Sequence, residues 1–250
     1  VNIINAQLAG LILGAYIWGK LGDRFGRTRV LLGSILLYSI TSLLTSMVQD
    51  PWQYGILRFL TGIGLAGELG AGITLISEEF SDKRRGLGVG IFIILGFVGV
   101  VLASFVAQTI DWRSCYVVGG LMGLALLFLR CRLHESKLFS STKHQTGIKY
   151  GGLTPILSNS GLRGKFVQGI LLILPTVFVP QIVWSLSPEI AKAKGISGID
   201  PATVLGFGYT MVIVGDFLAI YLAEKLKSRK RSISVFSSAG CVFFLVFLFC

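Results

Sequence analysis

The most constraining feature of the sequence is a series of long, almost continuously apolar segments. A helix that crosses a bilayer needs about 20 mostly apolar residues, and eight segments approach that length: 1–19, 29–48, 52–77, 87–109, 113–129, 166–190, 203–224 and 232–250. Their apolar residues run continuously instead of alternating, which favours helices over the strands of a barrel. Because 53% of the residues are hydrophobic and only 14% are charged, we predict an all-α integral membrane protein.

The basic residues follow the pattern that membrane topology imposes. The net charge is +11, which in a soluble protein would suggest a nucleic-acid partner. Here 19 of the 23 Lys and Arg residues lie in alternate gaps between the apolar segments; Arg113, Lys192 and Lys194 lie in the other gaps, and Arg58 lies inside a segment. Cytoplasmic loops carry an excess of Lys and Arg. We therefore expect no nucleic-acid partner and predict four cytoplasmic loops: 19–29, 78–86, 130–165 and 225–231.

The sequence gives no pattern of a metal, cofactor or enzyme site. The cysteines are too scattered for ligand spacing and are Cys115, Cys131, Cys241 and Cys250. The two histidines, His134 and His144, share one polar gap without further metal ligands. An enzyme should show His, Cys or carboxylates clustered at one membrane face, so we expect no metal, no cofactor and no enzymatic activity.

The gap over residues 130–165 divides the apolar segments into two groups. It is polar and basic, and it is too short for a separate enzyme domain. We predict an N-terminal bundle of five spans over 1–129, a cytoplasmic linker over 130–165 and the start of a C-terminal bundle of three spans over 166–250. Because the chain begins and ends inside apolar segments, we expect it to be an internal piece of a longer protein.

The segment GKLGDRFGRTR over residues 19–29 combines three glycines with four cations. It resembles the signature G-x-L-a-D-R-x-G-R-r-r, which major facilitator superfamily transporters carry between their second and third helices. The matching residues are Gly19, Leu21, Asp23, Arg24, Gly26 and Arg27, and Gly22 replaces the usual Ala or Ser. The resemblance implies two parallel, pseudo-symmetric helix bundles, with this chain covering helices two to nine of twelve.

A degenerate copy of this signature follows the seventh apolar segment. In the stretch YLAEKLKSRKR, Glu224 aligns with Asp23, Ala223 with Gly22 and Lys225 with Arg24. Such a repeat at the corresponding place in a second half is expected of the superfamily.

The charges of the signature suggest a contact between cytoplasmic helix ends. Its glycines Gly19, Gly22 and Gly26 allow helices to approach closely and are predicted packing residues. Its carboxylate and two of its arginines can join carboxylates that end the third apolar segment. We predict a latch that closes the cytoplasmic gate, formed by Asp23, Arg24, Arg27, Glu78 and Glu79. The alternative is that the cations only fix orientation in the membrane.

The stretch RFLTGIGLAGE, which begins at Arg58, carries a second resemblance. Superfamily members have R-x-x-x-G-x-g on the fourth helix, where the Arg is linked to proton coupling; Arg58, Gly62 and Gly64 match, and Gly67 is a further predicted packing residue. A Glu after the glycine run, here Glu68, resembles the branch that cotransports organic solutes and metabolites with protons. A charge inside a span costs about 2.5–3.5 kcal/mol on insertion scales. We predict that Glu68 carries the proton and Arg58 tunes its pKa, although Arg58 could instead snorkel outward.

Other polar residues inside the second group are candidates for the substrate cavity. Asp216 is predicted to face the cavity between the bundles, or alternatively to bond a neighbouring helix. In the sixth segment, Pro175 and Pro180 predict a broken helix that acts as an outer gate. Gln181 is predicted to bind substrate and Trp184 to line the cavity, with a membrane-interface position as an equal alternative for Trp184.

Together these features predict a secondary active transporter that moves a small organic solute by alternating access and proton-coupled symport. The alternatives are a uniporter, an efflux antiporter, a transporter-like sensor and an inactive truncated fragment. Segment 87–109 lacks the Gly-Pro ending typical of drug–proton antiporters, which favours uptake. We expect a monomer in the inner cell membrane, with lipid, substrate and proton as its partners, and no transport by the 250-residue chain alone.

Overall fold

The computed structural model describes residues 2–81, 84–130, 158–193, 195, 198, 201–226 and 228–249. Within these ranges the chain is helical and contains no strand. The helices are α1 Asn2–Phe25, α2 Arg27–Thr45, α3 Pro51–Glu79, α4 Arg85–Thr109, α5 Trp112–Arg130, α6 Ser160–Ser185, α7 Ser187–Ala193, α8 Pro201–Lys225 and α9 Arg229–Phe249. Most of the predicted linker 130–165 lies outside the described residues.

Five helices have the length and apolar composition of a membrane span: Arg27–Thr45, Pro51–Glu79, Arg85–Thr109, Trp112–Arg130 and Ala202–Lys225. Each coincides with a predicted segment, which confirms the all-α membrane fold class. The predicted segments 1–19, 166–190 and 232–250 also fall on helices, and for these the membrane crossing stays a prediction.

Helix ends differ from the prediction in three places. α1 continues past residue 19 to Phe25, because the lysine, leucine and arginine that follow the apolar run are good helix formers. Arg130 is the last residue of α5 instead of the first residue of a linker. α6 is not broken at its two prolines and ends at Ser185; membrane helices tolerate proline because other groups satisfy the freed backbone carbonyl.

The N-terminal helices pack around α3. α1 and α2 both pack along α3, and α5 packs on α2. A small core between them contains Val30, Leu31 and Ala71, which are buried, with Trp18 and Leu75 packed against it. The indole of Trp18 also donates a hydrogen bond to the carbonyl of Ile63 at 2.7 Å, which ties α1 to α3.

Apolar and polar side chains are distributed as in a protein whose solvent is lipid. The fully buried side chains of α2 are mainly small and polar, among them Ser34, Ser39 and Thr45. Large apolar side chains point outward instead, for example Leu95 at 63% and Phe105 at 62% exposure. In a bilayer, helices associate through small residues and interhelical hydrogen bonds, while apolar side chains face the acyl chains.

α8 connects the two groups of helices. It packs against α4 of the first group and against α6, α7 and α9 of the second. Gly206 of α8 lies opposite Ser104 of α4, and Gly90 of α4 lies opposite Ile220 of α8. Small residues therefore face larger neighbours at both ends of this helix pair.

Candidate functional site

The signature segment forms a tight break between α1 and α2. Gly26 is the single residue between the two helices, and its φ of 105° lies in the region that favours glycine. Its N–H donates to the carbonyl of Gly22 at 3.1 Å. A side chain would strain this conformation. Glycine at position 26 therefore allows the sharp change of direction between α1 and α2.

Three of the five predicted latch residues meet at this break. Arg27 Nη1 lies 2.6 Å from Asp23 Oδ1, and Arg27 Nε lies 3.4 Å from Glu78 Oε1. One guanidinium therefore joins the ends of α1, α2 and α3. The side chains of Arg27 and Glu78 are 17% and 14% exposed, whereas that of Asp23 is 41% exposed, so the contact with Glu78 is better shielded from solvent.

Arg24 and Glu79 lie apart from this cluster. Both side chains are exposed, and neither forms an ion pair within the described ranges. The guanidinium carbon of Arg24 lies 5.3 Å from the centroid of the Phe25 ring. Adjacent helical residues point about 100° apart, so the Arg24 side chain points away from that of Asp23.

A cavity of about 200 Å³ lies between α1 and α3, with Asp23 and Arg27 at its edge. Its walls are mostly small residues, including Gly19, Gly22 and Gly70. A Cβ on Gly19 would have no atom within 4 Å, so this predicted packing residue borders open space and not a helix. A Cβ on Gly22 would lie 3.3 Å from Nη1 of Arg27.

The predicted packing glycines of α3 lie at close helix contacts. Gly62 faces the carbonyl of Gln7 on α1. A Cβ on Gly64 would lie 2.8 Å from the Cβ of Tyr38, and one on Gly67 would lie 2.6 Å from the Cβ of Ser34. Larger side chains at these positions would push α1 and α2 away from α3.

Arg58 lies among polar and aromatic side chains from three helices. Its Nη1 donates to Gln7 Oε1 at 3.3 Å, and its Nε donates to the Tyr54 hydroxyl at 3.3 Å. The guanidinium also lies 4.6 Å from the ring centroid of Tyr116, a cation–π contact. Because ten helical residues span about 15 Å, this cluster is remote from Glu68.

Glu68 pairs with a residue that the sequence analysis placed in the linker. Arg130 Nη1 of α5 donates to Glu68 Oε1 at 2.8 Å, and the hydroxyl of Tyr38 on α2 is also hydrogen-bonded to Glu68. Three helices thus bring a carboxylate, a guanidinium and a phenol together. The only sequence signal for Arg130 is its position at the end of an apolar run. This signal did not distinguish Arg130 from the other basic residues of the predicted linker.

The candidates in the second group are only partly brought together. Trp184 contacts Tyr209 with ring centroids 4.9 Å apart, and Tyr209 lies 5.3 Å from Phe97 of α4. Asp216 lies two helical turns from Tyr209, on the same side of α8, and has no ion-pair partner among the described residues. The side chain of Gln181 lies outside the description. Sequence analysis missed Tyr209 and Phe97, because aromatic residues inside apolar runs give no distinctive signal.

Several long apolar helices, with ion pairs at and within the membrane segments, are typical of a membrane transport protein. The chain belongs to the Major Facilitator Superfamily, whose family profile it matches over residues 3–250. This membership confirms the expectation of a transporter class over an enzyme class.

Similar proteins include two transporters of aromatic acids. The 3-(3-hydroxy-phenyl)propionate transporter of Escherichia coli is 35% identical over 242 residues, covering 94% of this chain and 58% of the relative. The 4-hydroxybenzoate transporter PcaK of Pseudomonas putida is 35% identical over 143 residues, covering 55% of this chain and 32% of the relative. The chain thus spans little more than half of the first relative and about a third of the second.

A solved structure shows the same fold. The inward-open xylose transporter XylE from E. coli aligns with a TM-score of 0.58 and 21% identity, covering 89% of this chain and 58% of that chain. At 21% identity, this similarity is evidence for a shared fold only.

Proposed function

We propose that the protein takes up small aromatic carboxylic acids together with protons by alternating access. The observation that carries this proposal is the 35% identity across 94% of the chain to a transporter of 3-(3-hydroxy-phenyl)propionate. The 4-hydroxybenzoate transporter, also 35% identical over its shorter match, supports the same substrate class.

The Arg58 cluster has the chemistry that an aromatic acid requires. A guanidinium binds a carboxylate through charge-assisted hydrogen bonds, and the rings of Tyr54 and Tyr116 offer edges and faces for a substrate ring. The hydroxyls of these two tyrosines are 2.8 Å apart, so they can also serve a phenolic substrate. Because Arg58 contacts this cluster and not Glu68, we assign it to substrate binding instead of tuning the pKa of Glu68.

Glu68 is the proposed proton carrier. It lies inside α3 and is partly buried, and its charge is balanced by Arg130 at 2.8 Å. An ionisable group held inside a span at an energetic cost is a candidate for ion coupling.

The remaining features fit a rocking mechanism. Bundles over 1–129 and 166–250, joined by the cytoplasmic linker 130–165, would alternate around a cavity lined by Asp216, Gln181 and Trp184. The Asp23–Arg27–Glu78 latch would hold the cytoplasmic side closed. The charge distribution supports cytoplasmic loops at 19–29, 78–86 and 225–231 in a bacterial inner membrane, and we propose a monomer.

Uptake into proteoliposomes tests this function. The full-length protein is expected to accumulate radiolabelled 3-(3-hydroxyphenyl)propionate when the outside is more acidic than the lumen. Glu68→Gln should retain exchange of internal for external substrate and lose accumulation, whereas the control Glu189→Gln, which alters an exposed carboxylate of α7, should accumulate normally.

Undiminished accumulation by Glu68→Gln would contradict its role as proton carrier. Absence of uptake for every aromatic acid would contradict the substrate class, and accumulation only under the opposite gradient would indicate an efflux antiporter.

A further inference from the structure

A cavity lined by aromatic and charged side chains lies where α2 ends and α3 and α5 begin, at the end of these helices opposite to Arg27 and Arg130. Its volume of about 410 Å³ lies within the range of about 300–1,000 Å³ that is usual for small-molecule sites. The charge distribution predicts that this is the outer side of the membrane. The lining includes Val48, Asp50, Tyr54, Trp112, Arg113 and Tyr116.

Three aromatic rings form a wall of this cavity. Tyr54, Trp112 and Tyr116 contact one another edge to face, with ring centroids 6.1–6.3 Å apart and interplanar angles of 71–89°. Aromatic rings attract one another in this arrangement, so the wall is formed before a ligand arrives. Because Trp112 is 51% exposed, part of its ring remains accessible to a ligand.

The guanidinium of Arg113 is held at the edge of this wall. Its Nη2 donates to the carbonyl of Val48 at 3.0 Å, and its central carbon lies 4.9 Å from the ring centroid of Trp112. Within the described part of the chain, Arg113 forms no ion pair. The nearby carboxylate of Asp111 instead accepts hydrogen bonds from Ser114 and from the first N–H groups of α5. The other N–H groups of Arg113 can therefore bind a carboxylate.

The charges around the cavity favour an anionic ligand over a cationic one. Arg58 lies over the rings of both tyrosines, and Arg113 lies over the ring of Trp112. A cation approaching these rings would be repelled by two guanidiniums. Among the described residues, Asp50 is the only carboxylate in the lining, so positive charge is in excess.

We propose that this cavity is an outer site, formed by Tyr54, Trp112, Arg113 and Tyr116, which binds an aromatic carboxylate before it reaches Arg58. This inference rests on the proposed uptake of aromatic acids. In the outer site, the carboxylate binds Arg113 and the ring packs on Trp112. Tyr116 contacts both Trp112 and Arg58, so the substrate can move along its ring from one guanidinium to the other.

The outer site acts on the capture of substrate and not on the steps that follow. Removing a contact made only during initial binding raises KM and leaves the maximal rate unchanged. A defect in the packing of the helix ends would lower the maximal rate instead, because every later step depends on the folded helices.

Uptake of 3-(3-hydroxyphenyl)propionate by cells that express the full-length protein tests the role of charge from the outer side. Arg113→Gln should raise KM about 3- to 10-fold without lowering the maximal rate per amount of protein in the membrane. Arg113→Lys should recover part of this loss, because it retains the positive charge. Asp50→Asn should lower KM about twofold by removing an opposing charge. The Asp50 side chain forms no capping hydrogen bond, so this variant remains informative if Arg113→Gln does not fold.

A second pair of variants tests the role of the ring. Trp112→Leu should raise KM about 3- to 10-fold, whereas Trp112→Phe, which keeps an aromatic ring, should remain close to wild type. The matched controls are Trp52→Leu and Lys192→Gln, which alter exposed residues outside the cavity on the same predicted side. Both controls should have the KM of the wild type.

A wild-type KM in both Arg113→Gln and Trp112→Leu, or a higher KM in Asp50→Asn, would overturn the outer site and leave the proposed function intact. A reduced maximal rate without a rise in KM would do the same, because it indicates a structural role. An equal rise in KM in the controls would also overturn the outer site. Failure of the wild type to take up any aromatic acid would overturn the proposed function together with it.

Discussion

Single side chains connect helices that the chain order keeps apart. Arg27 reaches Asp23 on α1 and Glu78 on α3 from the first position of α2. Glu68 reaches Arg130, which is 62 residues away in the sequence. Each contact joins an acidic and a basic residue, and the role of each residue depends on the residue it pairs with. The sequence pattern identifies the charged residues but not which of them form pairs.

The latch should contribute modestly to stability. Because the Arg27 contacts are partly exposed, Arg27→Gln is expected to lower the free energy of unfolding by about 0.5–1 kcal/mol. In a double-mutant cycle with Glu78→Gln, the two losses should be less than additive. Denaturant unfolding in detergent micelles measures both quantities. Arg24→Gln, at an exposed arginine two helical positions before the break, should change little; an equal loss there would contradict the assignment of Arg27 as the joining residue.

Asp111 supplies a pH-dependent contribution at the start of α5. The Ser114 hydroxyl donates to its carboxylate at 2.6 Å, and together with the backbone N–H groups of Ser114 and Arg113 it holds the pKa of Asp111 below its ordinary value of 3.8. A lowered pKa stabilises the fold above the ordinary value, and this stabilisation is lost as the pH falls through the lowered pKa. Ser114→Ala should raise the pKa of Asp111, as measured by carboxyl NMR titration; an unchanged pKa would contradict the hydrogen-bond assignment.

At the scale of helices, the length of the apolar segments predicted where the helices lie. It did not predict the residues at which helices end, because these depend on local chemistry. The segments 52–77 and 113–129 closely match α3 and α5, because twenty apolar residues leave few alternatives. The charged turn after residue 19 stayed helical until Gly26, and the break near α7 fell at Leu186 instead of at a proline. Contacts between helices, such as α5 on α2, leave almost no periodic signal when every face is apolar.

The packing of α3 depends on which glycine is replaced. Gly67→Ala is expected to lower stability by about 1–3 kcal/mol, because the added Cβ would lie 2.6 Å from Ser34 and 2.8 Å from the Trp18 ring. Gly70→Ala adds a Cβ with no atom within 4 Å and should be neutral or stabilising by up to about 1 kcal/mol through helix propensity. Thermal unfolding in detergent compares the two variants, and equal effects would contradict the close contact at Gly67.

At the scale of the whole molecule, the signature over 19–29 and the apolar segments sufficed to predict the family. They did not predict how the two helix groups meet, since the Phe97–Tyr209–Trp184 contacts join three helices distant in sequence. The Glu68–Arg130 ion pair could not be predicted from the sequence either, because it depends on α3 and α5 both packing on α2. In this account, proton binding, substrate binding and movement of the bundles are linked through such contacts.

The most direct test is whether an aromatic acid and a proton move together. Proteoliposomes containing the full-length protein, in weakly buffered medium without an imposed gradient, would receive 3-(3-hydroxyphenyl)propionate while external pH is recorded. The account predicts external alkalinisation that is absent in Glu68→Gln and absent when the uncharged amide is added. Substrate uptake by the wild type without any change in external pH would contradict it.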